Sequence, residues 1–524
     1  MNSHSKNIYL LVSLSILISF ISTVLLLNYD SIYFLNTILK FNEKNIYEDF
    51  IPLTGNFPIW LFGTIFGFLK QIFPLGILII INSIIFAIIQ TVLFYYITFF
   101  TTKKRGISLF IGIISLLSFS LNFGLSFYDD YLSYTLLMFA LILDYKKFHY
   151  FVPLIFYLAI QSKITIGLPA FIIFLIYLIL IRRNYLFFLY SFTLVSILLI
   201  INHYFFSNYQ FFNFYNYEIL RLELDRRQAI DATNLDYDRN LFIQLFDIIK
   251  FLFLKIALPW NINIFDSIAT LSFGRILFIP FIFLHYFSII VLINRILNFN
   301  KFFFIDKKYD YLLLLIMFSY TPMAVLGRAF IETIYGYIFV ILIIYELKYF
   351  TKYKKTIILI FILILLIFKL HKLDVINPYE YSTISSNEIK PIQIKIDNNL
   401  RYTNEIDLQN IINKIKNEKI DNIYCLDGYC LLSSFLLGRN TDEYFPYPGI
   451  NYIKKFKYNT ICTFKIDQCE AFILNDLRIK DSRYIIFSDE SRFSKSNSLS
   501  KVKEYIELQY ELILSNSILL YKKK

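Results

Sequence analysis

The chain alternates long apolar runs with short polar segments. A helix that crosses a lipid bilayer needs roughly 20 apolar residues. Seven runs have about this length, near residues 8 to 27, 73 to 100, 106 to 122, 185 to 206, 276 to 294, 310 to 326 and 355 to 371. Four shorter runs, at 131 to 144, 149 to 161, 166 to 181 and 333 to 347, become spans when their polar flanks are considered. The pattern predicts about eleven transmembrane helices within residues 1–371.

Composition agrees with this class of protein. Of the 524 residues, 57% are hydrophobic and only 17% are charged, which is typical of a polytopic α-helical membrane protein. The formal net charge of +12 would also suit a nucleic-acid-binding protein. However, Lys and Arg lie mostly in short clusters between apolar runs or in the C-terminal third. The positive-inside rule explains the first group, so no nucleic-acid partner is predicted.

The basic clusters also predict orientation. They alternate with polar segments nearly free of positive charge, and they comprise Lys103-Lys104-Arg105, Lys146-Lys147, Arg182-Arg183, Lys307-Lys308 and Lys352 with Lys354-Lys355. With eleven spans, all five fall on one side, which is the cytoplasm. We therefore expect a multi-pass membrane protein with a cytoplasmic N-terminus. The first apolar run has no small-residue cleavage site and is interpreted as an uncleaved anchor.

The interpretation of residues 207–260 determines on which side of the membrane the C-terminal domain lies. Residues 207–240 are polar and mixed in charge, which predicts an external loop. Residues 241–260 are apolar but carry Asp247, Lys250 and Lys255, as an interfacial amphipathic helix would. If that helix crossed the membrane, everything after it would change sides. With eleven spans, the domain of residues 372–524 is extracytoplasmic.

Beyond residue 377 the sequence becomes polar, and short helical and strand patterns alternate. We expect an amphipathic helix marked by Ile406, Ile411, Ile412 and Ile415, strands at 422–425 and 484–487, helices at 431–437 and 471–477, and a closing hairpin over 510–521. The Ser515-Asn516 pair is expected at the turn of that hairpin. These elements predict a small α/β domain of about 150 residues.

All four cysteines, Cys425, Cys430, Cys462 and Cys469, lie in this domain. An oxidising exterior allows two disulfides there. Zinc is the alternative, but residues 372–524 contain no His, and the Cys spacings are loose for a metal knuckle. Disulfides or buried thiols are favoured, and the connectivity is left open.

Ionisable side chains near a bilayer surface are candidates for function, because desolvating them costs free energy. The candidates on the predicted external side are Glu48, Asp49, Asp129, Asp130, Lys163, Arg328 and Glu332. A carboxylate can take a proton from an acceptor hydroxyl, while Lys and Arg neutralise charge on a departing phosphate. This combination suits transfer of a sugar from a lipid phosphate.

Each candidate also has a structural interpretation. The first acidic pair can be solvated, the second can cap a helix, Lys163 can snorkel, and Arg328 can pair with Glu332 one helical turn on. The histidines, including His149 and His203, are scattered along the chain and are interpreted as structural. A divalent cation held by Asp49 with Asp129 or Asp130 fits carboxylate chemistry, and the sequence leaves its presence open.

The order of these motifs resembles the membrane-embedded GT-C glycosyltransferases, especially the bacterial branch of protein mannosyltransferases and the aminoarabinose transferase of lipid A. The matching elements are Tyr47-Glu-Asp-Phe-Ile-Pro-Leu-Thr-Gly55, Asp129-Asp130, Lys163 with Gly167, Gly327-Arg-Ala-Phe330 and the soluble tail with Asp421-Asn-Ile-Tyr-Cys-Leu-Asp-Gly428. There are two departures. The family's late His-Tyr or Arg-Tyr pair is replaced by Glu332-Thr-Ile-Tyr335, and no Lys-Pro-Pro follows Asp49.

The resemblance implies an inverting transferase that moves a sugar from a polyprenyl-phosphate donor to a cell-envelope glycan, lipid or protein outside the membrane. Asp49, beside Glu48, corresponds to the catalytic base. Asp129 or Asp130 would orient the acceptor or bind a metal, and Lys163 and Arg328 would hold the donor phosphate. Membrane lipids surround the helices. The alternatives are a transporter or flippase of lipid-linked sugars, an envelope polysaccharide polymerase or ligase, and a non-enzymatic scaffold.

Overall fold

A computed structural model describes residues 3–25, 27–28, 35, 38–41, 56–120, 129–206, 288–290, 293, 309–326, 381–384, 390, 394–397, 405–417, 423–426, 466–488, 500–515 and 518–524. Within these ranges the chain is mostly helical, with a small content of strand. It divides into two compact units. The first comprises Met1–Ser22, Ser83–Phe206 and Leu241–Pro378, and the second comprises Thr23–Asn82, Ser207–Asn240 and Tyr379–Lys524.

Nine helices before residue 327 have both ends within the described ranges, and further helical residues lie at 38–41 and 288–290. The nine are α1 (Ser3–Leu25), α2 (Asn56–Leu69), α3 (Leu75–Thr102), α4 (Arg105–Ser120), α5 (Asp129–Tyr145), α6 (Val152–Ser162), α7 (Ile164–Tyr177), α8 (Tyr185–Ile201) and α9 (Asp310–Leu326). A 3-10 turn at His149–Phe151 precedes α6, and π-helical turns at Leu178–Arg182 and Asn202–Phe206 extend α7 and α8. Eight of these helices fall on apolar runs that the sequence predicts as spans.

Two helical segments, Leu75–Thr102 and Tyr185–Phe205, are long and apolar enough to cross a membrane by length and composition. Five shorter apolar helices accompany them in the described part of the chain. The finer prediction of eleven spans is not confirmed, because the runs at 333 to 347 and 355 to 371, and nearly all of 276 to 294, lie outside the described residues.

The sequence analysis missed α2. Its sequence is mostly apolar, but at 14 residues it is short for a bilayer span, and it contains Pro58, Gly63 and Gly67. The structure buries Ile59, Phe62 and Phe66 along one face. Helical packing of one apolar face outweighs the poor helix propensity of the two glycines.

Two small sheets lie in the second unit. In the first, β1 (Leu27–Asn28) pairs in parallel with β3 (Ile394–Asp397), and β3 pairs antiparallel with β2 (Tyr381–Ile384). Leu27 opposes Ile394, and Asn28 opposes Lys395. The residues directly after α1 therefore share a sheet with the C-terminal part of the chain. No strand was predicted at these three places.

The second sheet has the order β4-β5-β7-β6, from β4 (Ile423–Cys425), β5 (Tyr484–Ser488), β6 (Tyr510–Ser515) and β7 (Ile518–Lys523). β4 and β5 are parallel, so a crossover connects them, and the other neighbours are antiparallel. Helices α10 (Glu405–Asn417), α11 (Ile466–Lys480) and α12 (Ser500–Gln509) belong to the same region. The predicted strands, the closing hairpin and two of the predicted helices are confirmed. The helix α12 was not predicted, and the predicted helix at 431–437 and the Asn516 turn position lie outside the described residues.

A compact apolar core holds this region together, and it contains Tyr424, Leu426, Ile473, Leu477, Ile485, Val502, Ile506, Tyr510 and Leu519. Polar contacts complete it. Glu470 accepts a hydrogen bond from Lys501 N at 2.5 Å at the start of α12, and Tyr424 donates to Asp476 Oδ2 at 2.6 Å. Burial, with Tyr505 and Asp481 nearby, raises the pKa of Tyr510 to about 12, and its hydroxyl donates to Ser482 O at 2.9 Å.

Candidate functional site

The first unit, which we call the helical unit, has one end at which basic residues collect. We call it the basic end. It is defined by Lys103, Tyr145, Asp144 and Arg182. Lys103 Nζ donates to Tyr145 Oη at 2.7 Å, so the end of α3 lies beside the end of α5. Arg182 donates to Asp144, which adds the end of the α7 segment. Three of the five predicted basic clusters therefore meet at one end of this unit, and the other two lie outside the described residues.

The N-terminus of the described chain lies at the basic end as well. His4 Nδ1 is 2.8 Å from Tyr95 Oη, and Arg105 Nε donates to His4 Nε2 at 3.0 Å. The ring of His4 also packs edge-on against Phe99, with 4.3 Å between ring centroids. α1 thus begins beside the turn that joins α3 to α4.

Three basic residues close helices here in a left-handed backbone conformation. Lys103, Lys147 and Arg183 have φ values of 59°, 66° and 52°. Glycine is the usual residue at such a helix end, because it has no Cβ to strain. A cation in its place interacts favourably with the partial negative charge at the C-terminus of a helix. The clusters that predict orientation are therefore also helix-ending residues.

Asp144 is the centre of a satisfied polar network at this end. Its side chain is fully buried, and both carboxylate oxygens accept from Arg182 Nη1, at 2.9 and 2.8 Å. Tyr311 Oη donates to Oδ2 at 2.8 Å, and His149 Nδ1 is 2.8 Å from Oδ1. Arg182 Nη2 in turn donates to Tyr311 Oη at 2.7 Å. The network ties α5, the α7 segment and α9 together, and its charge is paired and hydrogen-bonded throughout.

The opposite end of the same helices contains Lys163, and we call it the Lys163 end. Lys163 is the single residue between α6 and α7, with an extended backbone (φ −149°, ψ 108°), and its side chain is half-buried. α7 turns straight back along α6, since Phe156 packs against both Phe171 and Phe174 with ring centroids 5.5 and 4.8 Å apart.

Gly167 makes this reversal possible. A Cβ at residue 167 would lie 2.4 Å from Ile160 N, 2.5 Å from Ala159 C and 2.6 Å from Ala159 O. These are backbone atoms, which cannot move aside as a flexible side chain could. The glycine that the sequence analysis paired with Lys163 therefore has a clear structural role, because it lets two helix backbones touch one turn below the lysine.

The N-terminus of α5 lies at the Lys163 end too. Ser133 Oγ donates to Ala159 O at 3.0 Å, which places these two residues at the same level. Asp130 precedes Ser133 by three residues, or about 4.5 Å of helix, and Lys163 follows Ala159 by four, or about 6 Å. Asp129 and Asp130 are the first two residues of α5, a position at which a carboxylate also stabilises the helix.

α9 runs from the basic end to the same level. Asp310 and Tyr311 begin it beside Asp144 and Tyr177, and Phe318 packs edge-on against Phe156 with 6.2 Å between centroids. Lys163 is seven residues beyond Phe156, and Leu326, the last residue of α9, is eight beyond Phe318. At 1.5 Å of rise per residue, Lys163 and Leu326 lie at levels along the helix axes that differ by about 2 Å.

Two buried amides add to the polar character of the Lys163 end. Asn202 Nδ2 donates to Gln161 Oε1 at 3.2 Å, which joins the end of α6 to the end of α8. Gln161 and Asn202 are only 3% and 4% exposed, and the neighbouring Ser162 and His203 are also buried. Sequence analysis did not single out the amides, although two polar residues at the ends of apolar runs are a signal that a search restricted to charges overlooks.

The structure thus describes only some of the predicted site residues. The backbone of Asp129 and Asp130 and the whole of Lys163 come to one end of the helical unit. Glu48, Asp49, Arg328 and Glu332 lie outside the described residues, so their roles remain predictions. In the described part of the chain, no group of three or more His, Cys, Asp or Glu side chains comes together. The cation site that includes Asp49 therefore also remains a prediction.

The C-terminal region contains a disulfide-bonded cysteine. Cys425 is disulfide-bonded and 3% exposed. This agrees with the disulfide interpretation of that cysteine and excludes it as a zinc ligand, because a metal needs the free thiolate.

No protein-family model matches the chain, and no curated protein shows significant similarity to it.

Proposed function

We propose that this protein is an integral-membrane glycosyltransferase that takes a sugar from a polyprenyl-phosphate donor. The acceptor is a cell-envelope glycan, lipid or protein on the outer side of the cytoplasmic membrane. Asp49, with Glu48 beside it, is the catalytic base. Asp129 or Asp130 orients the acceptor or binds a divalent cation, and Lys163 and Arg328 hold the donor phosphate.

The observation that carries the proposal is the common position of separate polar elements. The start of α5 with its two aspartates, Lys163, and the end of α9 that leads to Arg328 reach one level of the helical unit. These segments are up to about 200 residues apart in sequence. A transferase needs such convergence, because cations for the leaving phosphate and carboxylates for the acceptor must work on one bound donor.

The environment of Lys163 supports its assignment to the phosphate. The residue is half-buried at a turn between two helix ends, and Ser162 and Ile164 on either side are buried. Partial exclusion of water strengthens the attraction between an ammonium group and a phosphate. Gly167 fixes the turn, so the amine is positioned without a long flexible segment.

Two observations support an external C-terminal region. The disulfide at Cys425 suits an oxidising compartment. The pairing of β1 with β3 also joins the segment after the first predicted span to the C-terminal region. With eleven spans, β1 and β3 both lie on the outer side of the membrane. With an even total number of spans, β1 would be outside and β3 inside, and the two strands could not pair.

The first experiment identifies the reaction. Mass analysis of envelope glycans from a strain that lacks the protein is expected to show one missing sugar. Purified protein in lipid nanodiscs is then given that sugar on polyprenyl phosphate, together with the acceptor. Formation of a new glycosidic bond is the expected result. Movement of the donor across a bilayer without a new bond would instead indicate a flippase.

The second experiment tests the residues. Asp49→Asn and Lys163→Met are expected to lower transfer by at least about 100-fold, as loss of a general base or of a charge-stabilising group does. Lys146→Met is the matched control, because it removes the same charge from the basic end. Wild-type transfer by Asp49→Asn protein would refute the proposed base, and equal losses in the two lysine variants would refute the phosphate role of Lys163.

A further inference from the structure

The amide pair at the Lys163 end has one unsatisfied group. Gln161 uses its carbonyl oxygen to accept from Asn202, and this fixes its amide nitrogen on the other side. Gln161 Nε2 is buried and has no hydrogen-bond partner among the residues that the structure describes. With Asn202 as the donor, the glutamine carbonyl faces Asn202 and its amino group faces away, since flipping the glutamine alone would set two amino groups against each other.

An orphaned donor of this kind is costly. A buried N–H group that loses water and gains no partner destabilises the folded chain. Apolar side chains could pack α6 against α8 without burying an unpaired polar group. The buried amide with an unpaired N–H group therefore indicates that an acceptor binds there. Gln90 provides the contrast, because it is equally buried at 2% exposure and also joins two helices, through a 3.2 Å donation to Thr135 Oγ1.

The neighbourhood indicates what the acceptor is. Lys163 lies two residues further along the chain, at the position assigned above to the donor phosphate. The amides and serine beside it are neutral: Gln161, Asn202 and Ser162 are all buried in the described structure. A neutral donor in a water-poor setting suits an uncharged oxygen such as a sugar hydroxyl, whereas a second phosphate would need a second cation.

We infer that Gln161, held by Asn202, is a hydroxyl-binding subsite for the sugar of the lipid-linked donor. The inference deepens the proposed function and rests on it. Gln161 Nε2 donates to a sugar hydroxyl oxygen, while Lys163 holds the phosphate at the other end of the same donor. Gln161 is thus a specificity-determining residue, and Asn202 is a positioning residue that acts through it.

The test separates the sugar from the phosphate. Two probes are used on the full chain in nanodiscs: a short polyprenyl phosphate without sugar, and a panel of the same lipid phosphate with glucose, mannose or arabinose attached. Binding is measured by titration of the thermal shift. Wild-type protein is expected to bind at least one sugar-bearing probe more tightly than the bare phosphate.

Gln161→Met is expected to weaken binding of that sugar-bearing probe by about 3- to 10-fold, which corresponds to the loss of one or two neutral hydrogen bonds. Its affinity for the bare phosphate should not change. Gln90→Met is the matched control and should change neither. Asn202→Leu should reproduce part of the loss, because Gln161 then loses its fixed orientation.

The outcomes are distinct. If Gln161→Met binds every sugar-bearing probe as tightly as wild type does, the subsite is refuted and the proposed function stands. If Gln161→Met weakens the binding of both kinds of probe equally, as a general structural defect would, the subsite is also refuted. If wild type binds neither the bare phosphate nor any sugar-bearing probe, the proposed function fails and the subsite fails with it.

Discussion

Replacing Gly167 by Ala tests the central geometric feature of the Lys163 end. The added methyl group would lie 2.4 Å from Ile160 N and 2.5 to 2.6 Å from Ala159 C and O, whereas ordinary contact begins at 3.4 Å. The backbones of α6 and α7 must therefore separate by about 1 Å, because none of these atoms can rotate away. A gap of that size removes roughly a quarter to a half of the dispersion energy of each contact across the interface.

The expected cost follows from two opposed terms. Overpacking of this kind destabilises by about 1–3 kcal/mol, and the stacked rings of Phe156 and Phe174 would lose contact as well. Alanine in a helix recovers about 0.5–1 kcal/mol relative to glycine. We expect a net loss of about 2 kcal/mol, together with lower transfer activity, because the turn at Lys163 moves with the helices.

Gly106→Ala is the matched control, since a Cβ at residue 106 of α4 meets nothing within 4 Å. The assay is thermal unfolding of both variants in the same nanodiscs at one scan rate. Gly106→Ala should equal or slightly exceed wild type, and Gly167→Ala should unfold several degrees lower. If Gly167→Ala is as stable as Gly106→Ala, the two helices do not meet at residue 167 and the position assigned to Lys163 is wrong.

Three further predictions concern other parts of the chain. Asp144→Asn leaves Arg182 without its charge partner and should destabilise the helical unit by about 3 kcal/mol, measured as a lower thermal midpoint; an unchanged midpoint would contradict the network. Cys425→Ser should cost about 2–5 kcal/mol, and a reducing agent should lower the midpoint of wild type by at least as much but that of the variant by less. The pKa of Tyr510 is raised in the folded state, so its contribution to stability is fully present below pH 10 and is lost as pH rises toward about 12. Unfolding midpoints of Tyr510→Phe protein should therefore fall less steeply than those of wild type between pH 10 and 12.

Apart from α2, the helices described within residues 1–206 follow well from sequence because a long apolar run has few alternatives to a helix. The run at 185 to 206 becomes α8 with its π-helical extension, and the weaker runs at 131 to 144 and 166 to 181 become α5 and the α7 segment. The amphipathic spacing of Ile411, Ile412 and Ile415 likewise predicts α10, in which all three are buried. Local pattern is sufficient in these cases.

Sequence reasoning fails where the structure depends on distant partners. β1 is two residues long, and it pairs with β3, more than 360 positions away. Asp144 gives no signal within an apolar run apart from its charge, and its partners Arg182 and Tyr311 belong to other helices. The Gln161–Asn202 pair is also invisible until α6 and α8 are known to be neighbours.

The two ends of the helical unit differ in a way that bears on function. At the basic end, the carboxylate of Asp144 is buried and each of its oxygens has partners within the protein. The charge of Asp144 is therefore fully compensated within the protein. At the Lys163 end, Gln161 keeps a donor that the described residues do not satisfy, beside a half-buried amine. Because folding alone favours satisfied groups, an incomplete polar layer is expected where a substrate completes it. The Asp144 network thus ties helices together, whereas the Gln161 donor can take part in binding a ligand.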